Sequence, residues 1–320
     1  MPMIFSEHME QYDLETVFPQ PGPFAIMRSA DVEDTWSHRG KVWPRDILPS
    51  CFNKHCRVML FSYNDGLSVN DEDTQFTKHA DRLLRLLMEK RKDDPTRPLI
   101  FICHDVGGLI VKEALAKAHL DKSGTIISID HFTRLLVFFN TPHHNVAKSV
   151  RNIASAAVRP TPPDVLDMLD KACNEHVARI APLEERGRLY RRRLVINFHG
   201  CNWYRGKQLV SPFFAPSLAN IQHQSVQQLT RRFVSTFKLV EKEDTMCNVR
   251  HEYWEKHFSI YGDHTSICRF PDSEDVTCET VLKTIGLNTY LAMRMYPVSD
   301  ILNRARFRFY DEHRRTSRPI

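Results

Sequence analysis

The sequence predicts an α/β protein with a mostly parallel sheet flanked by helices. Short apolar runs bounded by turn-forming residues are typical of buried strands, and they lie at 57–63, 99–103, 135–139 and 193–198. Stretches with helical spacing of apolar residues lie at 73–91, 107–115, 146–158, 163–190 and 273–290. Because strands and helices alternate, the connections are expected to be crossovers that place successive strands parallel in one sheet.

The termini and one internal segment fit this pattern less well. Residues 1–30 are rich in proline and carry only a short apolar patch at 24–27, so we expect them to be poorly structured or to form a truncated first strand. We therefore place the α/β domain at 31–290, with a helical cap or insertion at about 212–258 and a basic tail at 291–320. No element is predicted for 241–259, where charged and aromatic residues follow no period.

The composition is that of an ordinary globular protein. The chain has 320 residues, of which 42% are hydrophobic and 26% charged, and this suits one large α/β domain or two small ones. A net charge of +5 does not by itself indicate nucleic acid. No apolar run is long enough for a membrane-spanning helix, and the first residues do not form a secretory signal.

Cysteine usage predicts the compartment. None of the eight cysteines forms a C-x-x-C pair, so we expect free thiols and an intracellular, cytoplasmic location. A zinc site built from Cys51, His55 and Cys56 lacks a second ligand pair, so we expect neither metal nor cofactor. The basic tail matches no nucleic-acid module and reads as a solvated segment, with acidic lipid headgroups or nucleic acid as alternative contacts.

The stretch 98–115 carries the strongest signal for a functional site. Its apolar run ends at His104 and Asp105, and Gly107 and Gly108 open a helix directly afterwards. Strand, sharp turn and helix in this order form a nucleophile elbow, in which one polar side chain stands at the tip of a strained turn. In the serine version the tip residue is Ser; in this sequence it is Asp105.

Several collinear segments over residues 35–290 resemble one family. They read RVMLFSYN, HADRLLRLLMEKR, RPLIFICHDVGGLIVKEALAKA, LLVFFNTPHHN, INFHG and DHTSICRFPDSED. They are similar to the lipase-like serine esterases of filamentous fungi, to serine-active-site-containing proteins, and to hydrolase-like N-terminal domains of fungal NACHT and ankyrin proteins. The resemblance implies an α/β-hydrolase fold with a helical cap, and a lipid or a small-molecule ester as the substrate class.

The same comparison implies a degenerate active site. The family elbow G-H-S-L-G-G is replaced here by a string with Asp105 at the tip, and Gly200 stands where the family carries the acid that orients the histidine. The early glycine-rich loop that supplies one oxyanion amide is missing, which leaves the backbone amide of Val106. His264 matches the family's base.

Three hypotheses follow from these departures. The first is a pseudoenzyme, a hydrolase scaffold that binds or regulates and engages a protein partner. The second is a hydrolase of the epoxide-hydrolase kind, with Asp105 as nucleophile and His264 as base, whose acid comes from Glu241, Glu243 or Asp244. The third is a residual ester or lipid hydrolase. His143 and His144 are expected to pack and to form turn hydrogen bonds at the sheet edge.

Overall fold

A four-stranded parallel sheet organises the part of the chain that the structure describes. The structure is a computed structural model, and it describes residues 13–18, 35–63, 75–157, 163–201, 204–205, 236–237, 239–249 and 254–297. The sheet order is β10-β7-β6-β5, and helices cover it. The strands are β1 (Asp13–Phe18), β2 (Ser37–His38), β3 (Lys41–Val42), β4 (Val58–Ser62), β5 (Leu99–His104), β6 (Thr133–Phe139), β7 (Leu194–Gly200), β8 (Tyr204–Arg205), β9 (Thr236–Phe237) and β10 (Glu255–Ile260). The helices are α1 (Trp43–Asp46), α2 (Gln75–Lys90), α3 (Gly107–Leu120), α4 (Ile127–Phe132), α5 (Val146–Ala157), α6 (Pro163–Glu185) and α7 (Val276–Met295).

The α/β class predicted from the sequence is confirmed. Strands β5, β6, β7 and β10 pair only in parallel with one another, and the chain returns between most of them through helices. The predicted first strand at 24–27 lies outside the described residues, as does most of the predicted insertion. Strand β1, which the sequence did not predict, pairs antiparallel with β4 in a separate two-stranded sheet.

The core has two layers, one on each face of the sheet. Strand β6 is buried along its whole length. Because successive side chains of a strand point to opposite faces, Leu136 and Phe138 pack under α2, α3 and α6, whereas Leu135, Val137 and Phe139 pack against the layer that includes α7. Burial on both faces explains why this strand reads as an unbroken apolar run.

The ends of several predicted helices were wrong; those predicted at 107–115 and 273–290 end at Leu120 and Met295. The helix predicted at 163–190 ends at Glu185, because Gly187 adopts a left-handed φ of 62° and its amide, with that of Arg188, turns back onto the last carbonyls of the helix. A 3-10 helix, Leu48–Phe52, follows α1 with only Ile47 between them. Proline is tolerated there because it stands in the first turn, where no amide donor is needed.

Strand β10 lies in a stretch for which the sequence predicted no element. Its sequence EKHFSI is mostly polar, and only its two end residues are buried. It lies at an edge of the sheet, and β7 is its one partner among the described strands. A polar edge strand carries neither an apolar run nor a clean alternation, so the residues gave no signal for it.

Candidate functional site

The predicted turn after β5 is present in the structure. Asp105 has a φ of 53°, in the left-handed region that costs an ordinary residue about 1–2 kcal/mol. Backbone contacts hold it there. The amide of Asp105 donates to the carbonyl of Phe139 at 3.0 Å, and its own carbonyl accepts from Gly108 N at 3.1 Å and from Thr141 Oγ1 at 2.9 Å. The turn is therefore tied both to the neighbouring strand and to the helix that follows.

The two glycines after the turn have different structural roles. A Cβ on Gly108 would overlap the Thr141 side chain and would lie 2.9 Å from Cδ1 of Phe138. Helix α3 can start this close to the end of β6 only because residue 108 has no side chain. A Cβ on Gly107 would meet nothing closer than Tyr63 Oη at 3.8 Å, an ordinary contact.

The register of the sheet brings His264 towards the turn. His104 pairs with Phe139, and Phe139 pairs with Phe198, so the carboxyl ends of β5, β6 and β7 lie at one edge. Residues that follow β10 cross this edge. His264 Nε2 consequently lies 3.3 Å from Asp105 Oδ2, and both residues are buried, with exposed fractions of 6% and 8%. The two residues singled out from the sequence are thus in contact.

The crossing depends on Gly200 at the end of β7. A Cβ on Gly200 would lie 2.5 Å from the carbonyl oxygen of Gly262, and Gly262 itself has a φ of 147°. The amide of Gly200 donates to Asn140 Oδ1 at 3.0 Å. The backbone of the loop that carries His264 therefore occupies the space that a side chain at position 200 would need. This is the position at which the resembled family carries its acid.

His104 holds that loop in place. Its Nε2 lies 2.7 Å from the carbonyl oxygen of His264, and the two imidazole rings are 5.1 Å apart. The pKa of His104 is lowered to about 4, chiefly by burial; the neighbouring His264 acts in the same direction and Asp105 opposes it. The ring is therefore neutral near pH 7, and the short contact requires the tautomer with the proton on Nε2, which donates to the carbonyl.

No carboxylate among the described residues reaches the other side of His264. Its Nδ1 is buried without a hydrogen-bond partner there, and so is Asp105 Oδ1. Asp263 is adjacent in sequence, but its Oδ1 caps the following turn by accepting from the amides of Thr265 and Ser266. The contact of His264 with Asp105 is at ion-pair distance but lacks the alignment of a hydrogen bond.

The acids considered as partners of His264 lie elsewhere. Asp244 faces the loop after β6, where its Oδ1 accepts from Asn145 Nδ2 at 2.8 Å. Glu241 and Glu243 are exposed. Val106 directly follows Asp105 and is buried at the start of α3. The role of its backbone amide as an oxyanion donor stays a prediction.

A second polar cluster, which the sequence did not reveal as a unit, lies between α3, α6 and the loop after β6. Lys112 is 1% exposed and lies 2.7 Å from Glu184, and Glu113 is 1% exposed and lies 2.9 Å from His176. His143 was expected to pack and to form turn hydrogen bonds; it is buried, and its Nδ1 lies 3.4 Å from Lys112 Nζ. A Lys and a Glu side by side in a helix give no signal that both side chains are buried, so this cluster could not be read from the sequence.

Metal and membrane contacts gain no support from the described residues. No group of three His, Cys, Asp or Glu side chains in the described ranges is arranged to hold a metal ion. All eight cysteines lie in those ranges, and each is a free thiol. Within the same ranges, no helix combines the length and the apolar character that a membrane crossing requires.

The fold and the site together describe an α/β protein with a parallel sheet and an aspartate at the tip of a strand–turn–helix. No protein-family model matches the chain. Protein SERAC1 from the zebrafish Danio rerio is 29% identical to it over 110 residues, which are 32% of this chain and 16% of the relative. The chain thus matches only about one sixth of the length of this relative. The similarity gives weak, partial support to the hydrolase-like resemblance and does not bear on the fungal NACHT and ankyrin proteins.

Proposed function

We propose that this chain has an α/β-hydrolase-like fold and acts as a binding or regulatory scaffold without serine hydrolase activity. The observation that carries the proposal is the closed contact between Asp105 and His264, 3.3 Å apart and both buried. We propose an intracellular, cytoplasmic location, which the free thiols support. A protein partner is the proposed ligand, with a lipid or a small-molecule ester as the alternative.

Three features of the site support the absence of serine chemistry. The tip of the turn carries a carboxylate instead of a hydroxyl. The imidazole of His264 has no orienting carboxylate at Nδ1 among the described residues, and a catalytic base of this kind needs one to fix its tautomer. The backbone of Gly262 fills the space that a side chain at Gly200 would take.

The same contact has a plain structural role. Asp105 lies on the turn after β5 and His264 lies in the loop after β10, at the opposite edge of the sheet. Their pairing ties the two loops together, which is a sufficient reason to retain both residues. Removing one partner leaves the other as a buried polar group without this contact, at a cost of about 1–3 kcal/mol.

A labelling experiment tests this proposal. The purified chain is treated with a fluorophosphonate probe beside an active serine hydrolase, and we expect no label on the chain. Asp105→Ser introduces the missing hydroxyl and should also remain unlabelled, because neither the acid nor its space is present. Labelling of the wild-type chain, blocked by a serine-directed inhibitor, would contradict the proposal.

A double-mutant cycle tests the structural role of the pair. Asp105→Ala and His264→Ala are each expected to lower the free energy of unfolding, and the double variant should cost less than their sum by about 0.5–3 kcal/mol. Urea denaturation measures all four chains. Additive effects would show that the two side chains do not stabilise the fold through each other.

Asp105 as a nucleophile is the second candidate. Its support is the positive φ of Asp105 and its buried Oδ1, which has no partner among the described residues. In this reaction the carboxylate attacks an epoxide carbon, the ring C–O bond breaks, and the ring oxygen takes a proton from solvent. His264 then takes a proton from a water that attacks the carbonyl carbon of the ester; the acyl C–O bond breaks, the proton passes to the departing alkoxide, and the vicinal diol leaves with the carboxylate restored. Direct contact between Asp105 and His264 leaves little room for that water, so we rank this candidate second.

Trapping with an epoxide separates the two candidates. His264→Ala is incubated with styrene oxide, and the intact protein is weighed by electrospray mass spectrometry. A nucleophilic Asp105 predicts a gain of one epoxide mass on this residue, which is absent from the matched Asp105→Asn, His264→Ala chain. A scaffold predicts no adduct in either chain.

A further inference from the structure

The sheet has a second edge, formed by the amino ends of its parallel strands and opposite the edge that carries Asp105 and His264. Helices end at this edge, because each crossover returns the chain to the start of the next strand. The carbonyl of Tyr296, just after α7, accepts from Arg134 Nε at 3.1 Å at the start of β6. We call this surface the amino edge, and its described residues are 91–98, 120–126, 186–193 and 295–297.

One loop of the amino edge carries a concentrated positive charge. Five of the eight residues at 186–193 are arginine, and none of them is acidic. The segments 91–98 and 121–126 together carry four cations and three acids, so the excess of positive charge lies in 186–193. The loop 261–275 at the opposite edge carries four acids and one arginine. The charge of these loops is therefore polarised along the direction of the strands.

Three arginines of this loop point their charge at solvent. Arg186, Arg188 and Arg191 are exposed, and they form no ion pair in the described part of the chain. The amide of Arg191 donates to the carbonyl of Arg188 at 3.3 Å, so these two residues lie at the ends of one tight turn. Arg193 is different, because it is buried and paired with Asp130. The exposed arginines therefore keep their full charge for a partner.

Tyr296 connects this loop to the end of α7. Burial raises the pKa of its hydroxyl, and the positive charges of Arg192, Arg134 and Arg191 oppose this rise, which places these arginines close to the ring. The ring also stacks on that of Trp254, with the two centroids 5.5 Å apart. Two half-buried aromatic rings therefore stand beside the arginines.

The amino edge also exposes aliphatic side chains at the ends of two helices. Leu120, the last residue of α3, is 59% exposed, and Met295, the last residue of α7, is 45% exposed. Asp130 ties the end of α3 to the arginine loop, because it contacts His119 Nδ1 at 3.2 Å and pairs with Arg193. A nucleic-acid backbone offers little to aliphatic side chains, whereas the boundary between lipid headgroups and acyl chains accommodates them.

We propose that the amino edge binds the surface of a membrane rich in acidic phospholipids. Arg186, Arg188 and Arg191 contact the headgroup phosphates, for which a guanidinium is suited because it donates two parallel hydrogen bonds. Leu120 and Met295 enter the boundary below the headgroups. The acidic loop 261–275 then faces away from the membrane, so the charge polarity of the chain also orients it. The inference is independent of the function proposed for the opposite edge.

Vesicle flotation of the full chain tests the proposal. The chain is mixed with phosphatidylcholine vesicles that either contain or lack phosphatidylserine, at a salt concentration of about 0.15 M. We expect it to float with the vesicles that contain phosphatidylserine and to stay behind with phosphatidylcholine alone. Binding should weaken as salt is added, because exposed charges are screened.

Two triple variants of equal charge separate a specific surface from general basicity. The loop variant replaces its three exposed arginines, Arg186→Gln, Arg188→Gln and Arg191→Gln. We expect its apparent Kd for acidic vesicles to rise at least about tenfold, because each cation near an acidic surface adds to the affinity. The control replaces three exposed cations away from the amino edge, Arg39→Gln, Lys148→Gln and Lys171→Gln, and should change the apparent Kd less than about twofold. Both variants should keep the wild-type midpoint in urea, since all six side chains are exposed.

An apolar variant separates a membrane from nucleic acid. Leu120→Ser with Met295→Ser should weaken binding to the acidic vesicles and leave any binding to a DNA duplex unchanged. The proposal is overturned if the wild-type chain does not float with acidic vesicles, or if the two triple variants lose binding equally. It is also overturned if the apolar variant binds vesicles as the wild type does while a DNA duplex displaces the chain from them, which would assign the edge to nucleic acid.

Discussion

Replacing Gly108 by alanine should destabilise the protein, although alanine is the better helix former. The new Cβ would overlap Thr141 and lie 2.9 Å from Phe138 Cδ1, and overpacking of this kind costs about 1–3 kcal/mol. Moving Thr141 aside also breaks its bond to the carbonyl of Asp105, worth about 1 kcal/mol. The helix propensity of alanine returns at most about 1 kcal/mol. The net loss is therefore about 1–3 kcal/mol.

Gly107→Ala is the matched control for this change. It lies one residue earlier in the same helical turn, and its Cβ has ordinary contacts only. Its free energy of unfolding should equal or slightly exceed that of the wild-type chain. Urea denaturation followed by circular dichroism measures both variants, and the m value should stay constant if the transition is unchanged.

A second substitution identifies the cause of the loss. Thr141→Ala removes both of the atoms that the Cβ at position 108 would overlap, so Gly108→Ala should cost less in that background. Equal stability of the Gly107 and Gly108 variants would refute the steric argument. So would an unchanged cost of Gly108→Ala in the Thr141→Ala chain.

The remaining predictions concern buried charge, protonation and the loop crossing. Asp130→Asn should lower the free energy of unfolding by about 3–5 kcal/mol at pH 7, because Arg193 lies 2.5 Å from the carboxylate and both are buried; a loss below 1 kcal/mol in urea denaturation would contradict this. Burial lowers the pKa of His79 from 6.5 to about 4, so the unfolded chain binds the extra proton between these values and stability falls as the pH drops through that window, by at most about 1.4 kcal/mol per pH unit. His79→Phe should remove that part of the slope, and an identical slope in both chains would argue against it. Gly200→Ala should cost about 1–3 kcal/mol in the same assay, because its Cβ meets the backbone of Gly262, which cannot rotate away as a side chain can; wild-type stability would refute this.

The sequence was most informative where one local pattern determines one structure. The apolar run before His104 and the glycine pair predicted the strand, the turn and the start of the helix at Gly107, although the helix continues to Leu120 instead of ending at Leu115. Asp105 and His264 were selected from the sequence, and the structure brings them into contact. Their separation of only 3.3 Å could not be predicted, because it depends on the pairing of β10 at the far edge of the sheet.

The cluster around Lys112 shows the opposite case. Lys112, Glu113 and His176 read as an ordinary polar face of two helices, and only the packing of α6 against α3 buries them. Whether a charged side chain on a helix is buried depends on which other elements pack against that helix. Local spacing carries no information on it, and only the assembled structure shows that His176 Nε2 has no hydrogen-bond partner among the described residues.

The close approach of Gly200 to the Gly262 carbonyl also bears on how this chain could change over generations. The loop path that delivers His264 to Asp105 and an acidic side chain at position 200 exclude each other. A serine at 105 and an acid at 200 would therefore gain nothing without a third change that reroutes residues after β10. Each single step towards a triad passes through a less stable chain with no activity to select. The backbone at Gly262 therefore opposes a triad at these positions, and we expect an aspartate to persist at the tip of the turn.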